Sequence, residues 1–161
     1  MNGDARPSVS RAILLRPSLT ADALGAIPCG VSLGYDIYPD IGLLYIRGQG
    51  VITHSEWVYA MLAWLHDPGY QHCRDALVDL AGVRTTPKIR ELRELITMLK
   101  QERPAQGPRR VAVVTSTAIT FVVAQAFGQL VRVQGYEFKV FMSLTRAWDW
   151  LRPGEPRFQP H

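Results

Sequence analysis

The chain has little cysteine and lacks any residue set with the spacing of a catalytic or metal centre. Cys29 and Cys73 are far apart and form no C-x-x-C pair, so we interpret both as reduced thiols. His72 and Cys73 are adjacent, which is not the spacing of zinc ligands. Asp75 and Asp79 fall on one face of a predicted strand, where one buried carboxylate would need a partner rather than a substrate. We therefore expect no catalytic residue, no metal and no cofactor.

Strong charge is also absent. The formal net charge is +4 and charged residues make up 20% of the 161 residues, which is ordinary for a globular protein. Between Arg84 and Arg110 eight basic residues face three acidic ones, which predicts one basic helix face. Because no helix-turn-helix, RNP-like aromatic pattern or zinc module accompanies this excess, we do not expect nucleic-acid binding.

Long apolar runs are few, and neither of two candidates has the pattern of a targeting or membrane segment. Residues Val111 to Val131 carry no charge, but hydroxyl residues from Thr115 to Thr120 interrupt them, so we predict a buried strand followed by a buried helix rather than a transmembrane segment. Ala12 to Leu15 is too short for the apolar core of a signal peptide. We therefore expect a cytoplasmic protein.

The remaining pattern alternates strands and helices. Residues 1–30 are rich in proline, glycine, alanine, serine and arginine and predict a tail or arm, residues 31–152 predict one domain, and residues 153–161 predict a C-terminal tail. The predicted order is ββαβαβαβα. This order indicates an α/β fold with a mixed, mainly parallel sheet of about five strands and about four helices.

Several local signals place the elements. Val31 to Tyr38 and Ile41 to Val51 predict a hairpin, and Gly48-Gln49-Gly50 predicts a bulge or sharp bend, because a third glycine for nucleotide binding is missing. Thr53 and Glu56 have the spacing of a capping box. Further helix starts are predicted at Thr86 as the N-cap before Pro87, at Thr117 and at Ser143.

Hydroxyl side chains follow the predicted strands at the carboxyl edge of the sheet, with a basic residue beside them. Open α/β sheets bind ligands at this edge, and helix N-termini attract anions. The pattern predicts a site for a small anionic or lipid-like ligand, with local helix capping as the alternative use of each hydroxyl. The candidate binding residues are Arg84, Thr85, Thr86, Ser116, Thr117 and Ser143.

The uncharged helix 117–131 carries more apolar surface than one sheet face needs. Ala124 and Gly128 are four residues apart, which permits close approach of a second helix. This predicts a homodimer or a protein partner, and the alternative is that the helix is central in the core. The candidate interface residues are Phe121, Ala124, Gln125 and Gly128.

Scattered motifs along the domain resemble those of a known family. They are Val78-Asp79-Leu80-Ala81-Gly82-Val83, Val111-Ala112-Val113-Val114, Val140-Phe141-Met142 and Ala147-Trp148-Asp149-Trp150-Leu151. Together they resemble the SpoIIAA-like, STAS/SEC14-type small bacterial domains, over roughly Val31 to Leu151. The resemblance implies successive β-α units and a role in protein contacts or ligand binding, with no known chemistry.

The resemblance also implies where regulation would occur. Anti-sigma-factor antagonists of this superfamily carry a phosphorylatable serine where this chain reads Thr85-Thr86-Pro87-Lys88, without an Asp-Ser-Ser run. The leading interpretation is therefore a non-enzymatic interaction or regulatory module that acts through helix 117–131. Ligand binding is the alternative, and a phospho-regulated antagonist with Thr85 as acceptor is a further one.

Overall fold

The structure is a computed structural model that describes residues 32–102 and 107–159. The predicted arm, residues 1–30, and Cys29 lie outside these ranges. The described residues form the predicted ββαβαβαβα order, with a one-turn 3-10 helix at Tyr70–His72. The strands are β1 (Leu33–Tyr38), β2 (Leu43–Gly50), β3 (Asp75–Val83), β4 (Arg110–Val114) and β5 (Glu137–Phe141), and the helices are α1 (His54–Leu65), α2 (Ile89–Glu102), α3 (Ala118–Arg132) and α4 (Leu144–Leu151).

The five strands form one sheet in the order β1-β2-β3-β4-β5. β1 pairs antiparallel with β2, and the other three pairings are parallel, so the predicted mixed, mainly parallel sheet is confirmed. The strand order never reverses. The sheet therefore has no topological switch point, the place where open α/β sheets usually bind ligands.

The bend predicted at Gly48 to Gly50 is a β-bulge. The register of β2 against β3 shifts between Arg47 and Gln49, and Gly50 has a φ of 69°. A Cβ on Gly48 would lie 2.9 Å from the side chains of both Ile52 and Val83. Gly48 and Gly50 thus permit a tight bend at the end of β2. Three residues then connect β2 to α1.

Because successive side chains of a strand point to opposite faces of the sheet, the core has two layers, one on each face. Leu44, Ile46 and Ala76 face α1, α2 and α3, whereas Leu77 and Ala112 face α4. Phe158 packs against Trp148 with ring centroids 5.1 Å apart. The segment predicted as a C-terminal tail from residue 153 therefore contributes an aromatic ring to the core layer between the sheet and α4.

Helix α1 begins with the predicted capping box. The Thr53 N–H donates to the Glu56 carboxylate at 2.7 Å, and the Glu56 N–H donates to the Thr53 hydroxyl at 3.3 Å. Burial opposes the ionisation of Glu56, but hydrogen bonds from Ser32 and Thr53 outweigh it and hold the pKa of Glu56 below its ordinary value. The stability that Glu56 contributes is therefore present above its ordinary pKa and is lost as the pH falls through the lowered pKa.

We expect Thr53→Ala to lower the free energy of unfolding by about 1 kcal/mol at neutral pH, because the cap of α1 is lost. Urea denaturation measures this change, and Ser55→Ala in the exposed first turn is the matched control. The difference between Thr53→Ala and the parent should shrink as the pH falls through the lowered pKa of Glu56 and the carboxylate becomes protonated. A difference that grows in acid would contradict this assignment.

Two other predicted caps differ from the structure. Helix α2 begins at Ile89 rather than beside Thr86, because the Glu91 carboxylate, not the Thr86 hydroxyl, accepts the first free N–H, that of Lys88, at 2.7 Å. Ser143 precedes α4, but its hydroxyl makes no cap hydrogen bond. Thr117 caps α3 as predicted, accepting from the Thr120 N–H at 3.2 Å.

Candidate functional site

The described residues enclose a cavity of about 190 Å³ between the sheet and the helix layer, which we call the α2 cavity. Its floor is the face of β2, β3, β4 and β5 that points toward α1, α2 and α3. Its roof is α2, and α1 and α3 form its sides. The residues that line it are almost all apolar, and they include Trp57, Trp64, Ala76, Val78, Leu80 and Val111.

The cavity lies where α2 leaves part of the apolar face of the sheet uncovered. Val78 and Leu80 on the central strand β3 are only partly buried, whereas Leu77 and Ala112 on the opposite face are 0% exposed. One face of the sheet is therefore sealed by α4, and the other keeps an apolar surface that is partly open.

Part of the predicted ligand site lies at one end of this cavity. Thr85 and Thr86 line it at the carboxyl edge of β3, together with Thr120 of α3. Arg84 and Lys88 beside them are exposed and form no ion pair with another described residue. This end is consequently hydroxyl-bearing and basic.

The other predicted hydroxyls do not join this group. The Ser116 hydroxyl donates to the Ala81 carbonyl at 2.6 Å, and Thr117 caps α3. Ser143 precedes α4, which packs on the opposite face of the sheet. Thr120 was not among the predicted site residues, and its one signal in the sequence is its position one turn into the helix that Thr117 caps.

Thr85 already has a structural use. Its hydroxyl accepts from the Ile52 N–H at 3.0 Å and lies 3.4 Å from the Ile52 carbonyl oxygen, so it ties the turn after β3 to the turn after β2. A phosphate on Thr85 would have to replace these bonds. The assignment of Thr85 as a phosphorylation site stays a prediction that this geometry does not favour.

Two tyrosines line the opposite end of the α2 cavity. Tyr70 is 5% exposed and shares a side-chain hydrogen bond with Tyr136. Burial, and to a lesser extent the neighbouring Tyr136, raises the pKa of Tyr70 far above its ordinary value, so this hydroxyl stays neutral. The sequence offered no periodic signal for this pair, since the tyrosines lie in connecting segments. The cavity thus has a basic, hydroxyl-bearing end and a neutral phenolic end.

The predicted interface residues lie mostly on the sheet side of α3. A Cβ on Gly128 would lie 2.3 Å from the ring of Phe138, so Gly128 permits close approach of β5 rather than of a partner helix. Phe121 and Ala124 pack in the same core cluster as Phe138, and Gln125 is partly buried. The position of Gly128 corrects the prediction that its small size serves an external contact.

A buried charge cluster occupies the amino edge of the sheet. Asp75 is 1% exposed and lies 2.9 Å from Arg110 Nε and 3.0 Å from Arg152 Nη2. Asp79 accepts from the Ala81 N–H at 3.0 Å. The partner expected for a buried carboxylate is therefore present at Asp75, and the structure shows that it is a pair of arginines. Within residues 32–102 and 107–159 no group of three or more histidine, cysteine, aspartate or glutamate side chains could hold a metal ion.

No family model matches the sequence, and no curated protein matches it. Among solved structures, the chain is similar to an uncharacterized protein of the DUF3478 family with a SpoIIAA-like fold from Shewanella loihica PV-4. The two share 16% identity with a TM-score of 0.49, over 74% of this chain and 91% of that chain. In the described ranges, every helix is too short or too polar to cross a membrane.

Proposed function

We propose that this domain is a non-catalytic binding module whose α2 cavity takes one small, mainly apolar molecule. The observation that carries this proposal is the apolar sheet surface left partly open beneath α2, at Val78, Leu80 and Val111. A well-packed α/β layer buries such residues fully. An apolar cavity of about 150 Å³ is already large enough to bind benzene, so a cavity of about 190 Å³ can take a slightly larger ligand.

The lining of the cavity favours a ligand with an apolar body, such as an alkyl chain, and one polar end. Apolar side chains of β2, β3, β4 and β5 line the floor, and a volume of about 190 Å³ limits the ligand to a small molecule. Thr85 and Thr86 at one end offer hydrogen-bonding groups for a polar head.

The positive charge at the threonine-lined end of the cavity favours a ligand with an anionic head. Arg84 and Lys88 are exposed beside the threonines, and they lack ion-pair partners among the described residues. A carboxylate there would gain from this positive potential, while the alkyl chain would lie against Val78 and Leu80. We therefore propose a medium-chain carboxylate as the ligand class. This class is a narrower form of the anionic or lipid-like ligand that was predicted from the sequence.

The test uses the full chain, purified gently and examined by native mass spectrometry, then titrated with octanoic, decanoic and dodecanoic acids. Trp57 and Trp64 line the cavity, so binding should change tryptophan emission. At a ligand concentration of about 100 Kd, the free energy of unfolding should rise by about 2.7 kcal/mol. Decan-1-ol, which lacks the charge, should bind more weakly. If none of these compounds changes the emission or the melting temperature, the proposal fails.

Filling the cavity should weaken this binding. We expect Val78→Phe to weaken decanoate binding by about tenfold or more, because the added ring occupies the space of the alkyl chain. The unliganded protein should keep its stability, since the cavity accommodates the ring. Val51→Phe is the matched control, because Val51 is 59% exposed and outside the cavity.

Both variants are compared with the parent by isothermal titration calorimetry and thermal denaturation. If Val78→Phe proves unstable, Val111→Phe fills the same cavity from the neighbouring strand. Unchanged decanoate affinity in a folded cavity-filled variant would place the ligand elsewhere on the protein.

A further inference from the structure

Helix α3 carries an apolar stripe on the side that faces solvent. Five side chains recur at spacings of three, four, four and three residues, so they share one face along the whole helix. All five are exposed, and the fractions for the four large residues are 70% for Ile119, 65% for Val122, 46% for Leu130 and 89% for Val133. The outer stripe consists of Ile119, Val122, Ala126, Leu130 and Val133.

We infer that a second copy of this chain covers the outer stripe, with the two α3 helices antiparallel about a twofold axis at Ala126. The spacings read the same in both directions. An antiparallel pair centred on Ala126 therefore sets Ile119 against Val133 of the second copy and Val122 against Leu130 of the second copy. Ala126 meets its own counterpart, and a small residue at the crossing lets the two helices approach closely.

Self-pairing also fits the charge of this face. The one charged side chain of α3 is Arg132, which donates to the Phe138 carbonyl at 2.8 Å, so two copies would bury no other charge of α3. A charged partner would find nothing to pair with on the outer stripe. In a twofold dimer, the same surface of each copy contacts the other copy. The outer stripe suits such a contact because its residue spacing is the same in both directions.

The length of α3 limits the area that the dimer can bury, and therefore its stability. α3 has 15 residues and is about 22 Å long, so a single pair of helices buries less than the roughly 800 Å² per partner of a standard interface. We therefore expect a dimer that dissociates on dilution in the micromolar range. The contact is independent of the proposed ligand, since the outer stripe faces away from the sheet.

Sedimentation velocity of the full chain, from low micromolar to several hundred micromolar, should show a rising dimer fraction. Val122→Glu should keep the protein monomeric at every concentration, because it would bury a charge opposite Leu130 of the second copy. Ile89→Glu on α2 is the matched control, since Ile89 is 72% exposed and outside the stripe, and it should dimerise like the parent. Circular dichroism checks that both variants fold.

Cross-linking tests the predicted axis. In a Cys29→Ser background, Ala126→Cys should form a disulfide-linked dimer on mild oxidation, because the two side chains meet at the axis. Gln129→Cys, one residue off the stripe, should cross-link much more slowly. The inference is overturned if the parent stays monomeric at the highest concentration, if Val122→Glu dimerises like the parent, or if Gln129→Cys cross-links as fast as Ala126→Cys.

Discussion

Asp75→Ala should lower the free energy of unfolding by about 3 to 5 kcal/mol, because it leaves two guanidinium groups without their buried partner. Asp75 is 1% exposed and receives hydrogen bonds from Arg110, at 2.9 Å to Nε. Arg152 lies 3.0 Å from the same carboxylate and also donates to the Ile41 carbonyl. This cluster joins the start of β3 to β4, to the end of α4 and to the turn before β2.

Urea denaturation of Asp75→Ala and of Asp75→Asn measures the loss. The asparagine variant keeps the shape but turns an N–H donor toward the arginines, so it should also be destabilised, by less than alanine. Asp40→Ala is the matched control, because Asp40 is exposed in the β1-β2 turn, and it should change stability by about 0.5 kcal/mol or less. If Asp75→Ala is as stable as Asp40→Ala, the cluster does not hold these elements together.

Gly128→Val should cost about 3 kcal/mol of folding free energy, since overpacking in a close contact displaces the neighbouring side chain. A Cβ at this position would lie 2.3 Å from Cδ1 of the Phe138 ring, and the buried ring has little room to move. Valine adds two methyl groups to that Cβ. The substitution should therefore push α3 away from β5.

The same substitution at Gly34 provides the contrast. A Cβ on Gly34 of β1 meets nothing within 4 Å, and valine favours strands, so Gly34→Val should be neutral or slightly stabilising. Urea denaturation and near-ultraviolet circular dichroism compare the two variants. Equal stability of Gly128→Val and Gly34→Val would contradict the close contact between α3 and β5.

The element order could be predicted because its signals are local. The capping box at Thr53 and Glu56, the glycine pair at the β2 bulge and the apolar periods of the helices each act within a few residues. The buried state of Asp75 followed from its place in an apolar strand. These features depend little on how the layers pack.

The cavity could not be predicted because it depends on how α1, α2 and α3 pack together over the sheet. The apolar periods indicate which residues face the core, but not where the packing leaves a space. Helix α3 shows a related limit: its apolar residues cover two faces, so the pattern alone does not tell which face meets the sheet. The structure places Gly128 against Phe138 and leaves Val122 in solvent.

Methyl-resolved NMR of the full chain titrated with decanoate tests the central claim most directly, because it reports each lining side chain separately. We predict shift changes and ligand contacts for the methyl groups of Val78, Leu80 and Val111 in the α2 cavity. The methyl groups of Leu77 on β3 and of Leu151 on α4, which are 0% exposed on the opposite face of the sheet, should stay unchanged. Changes confined to the outer stripe of α3, or none at saturating decanoate, would contradict ligand binding in the α2 cavity.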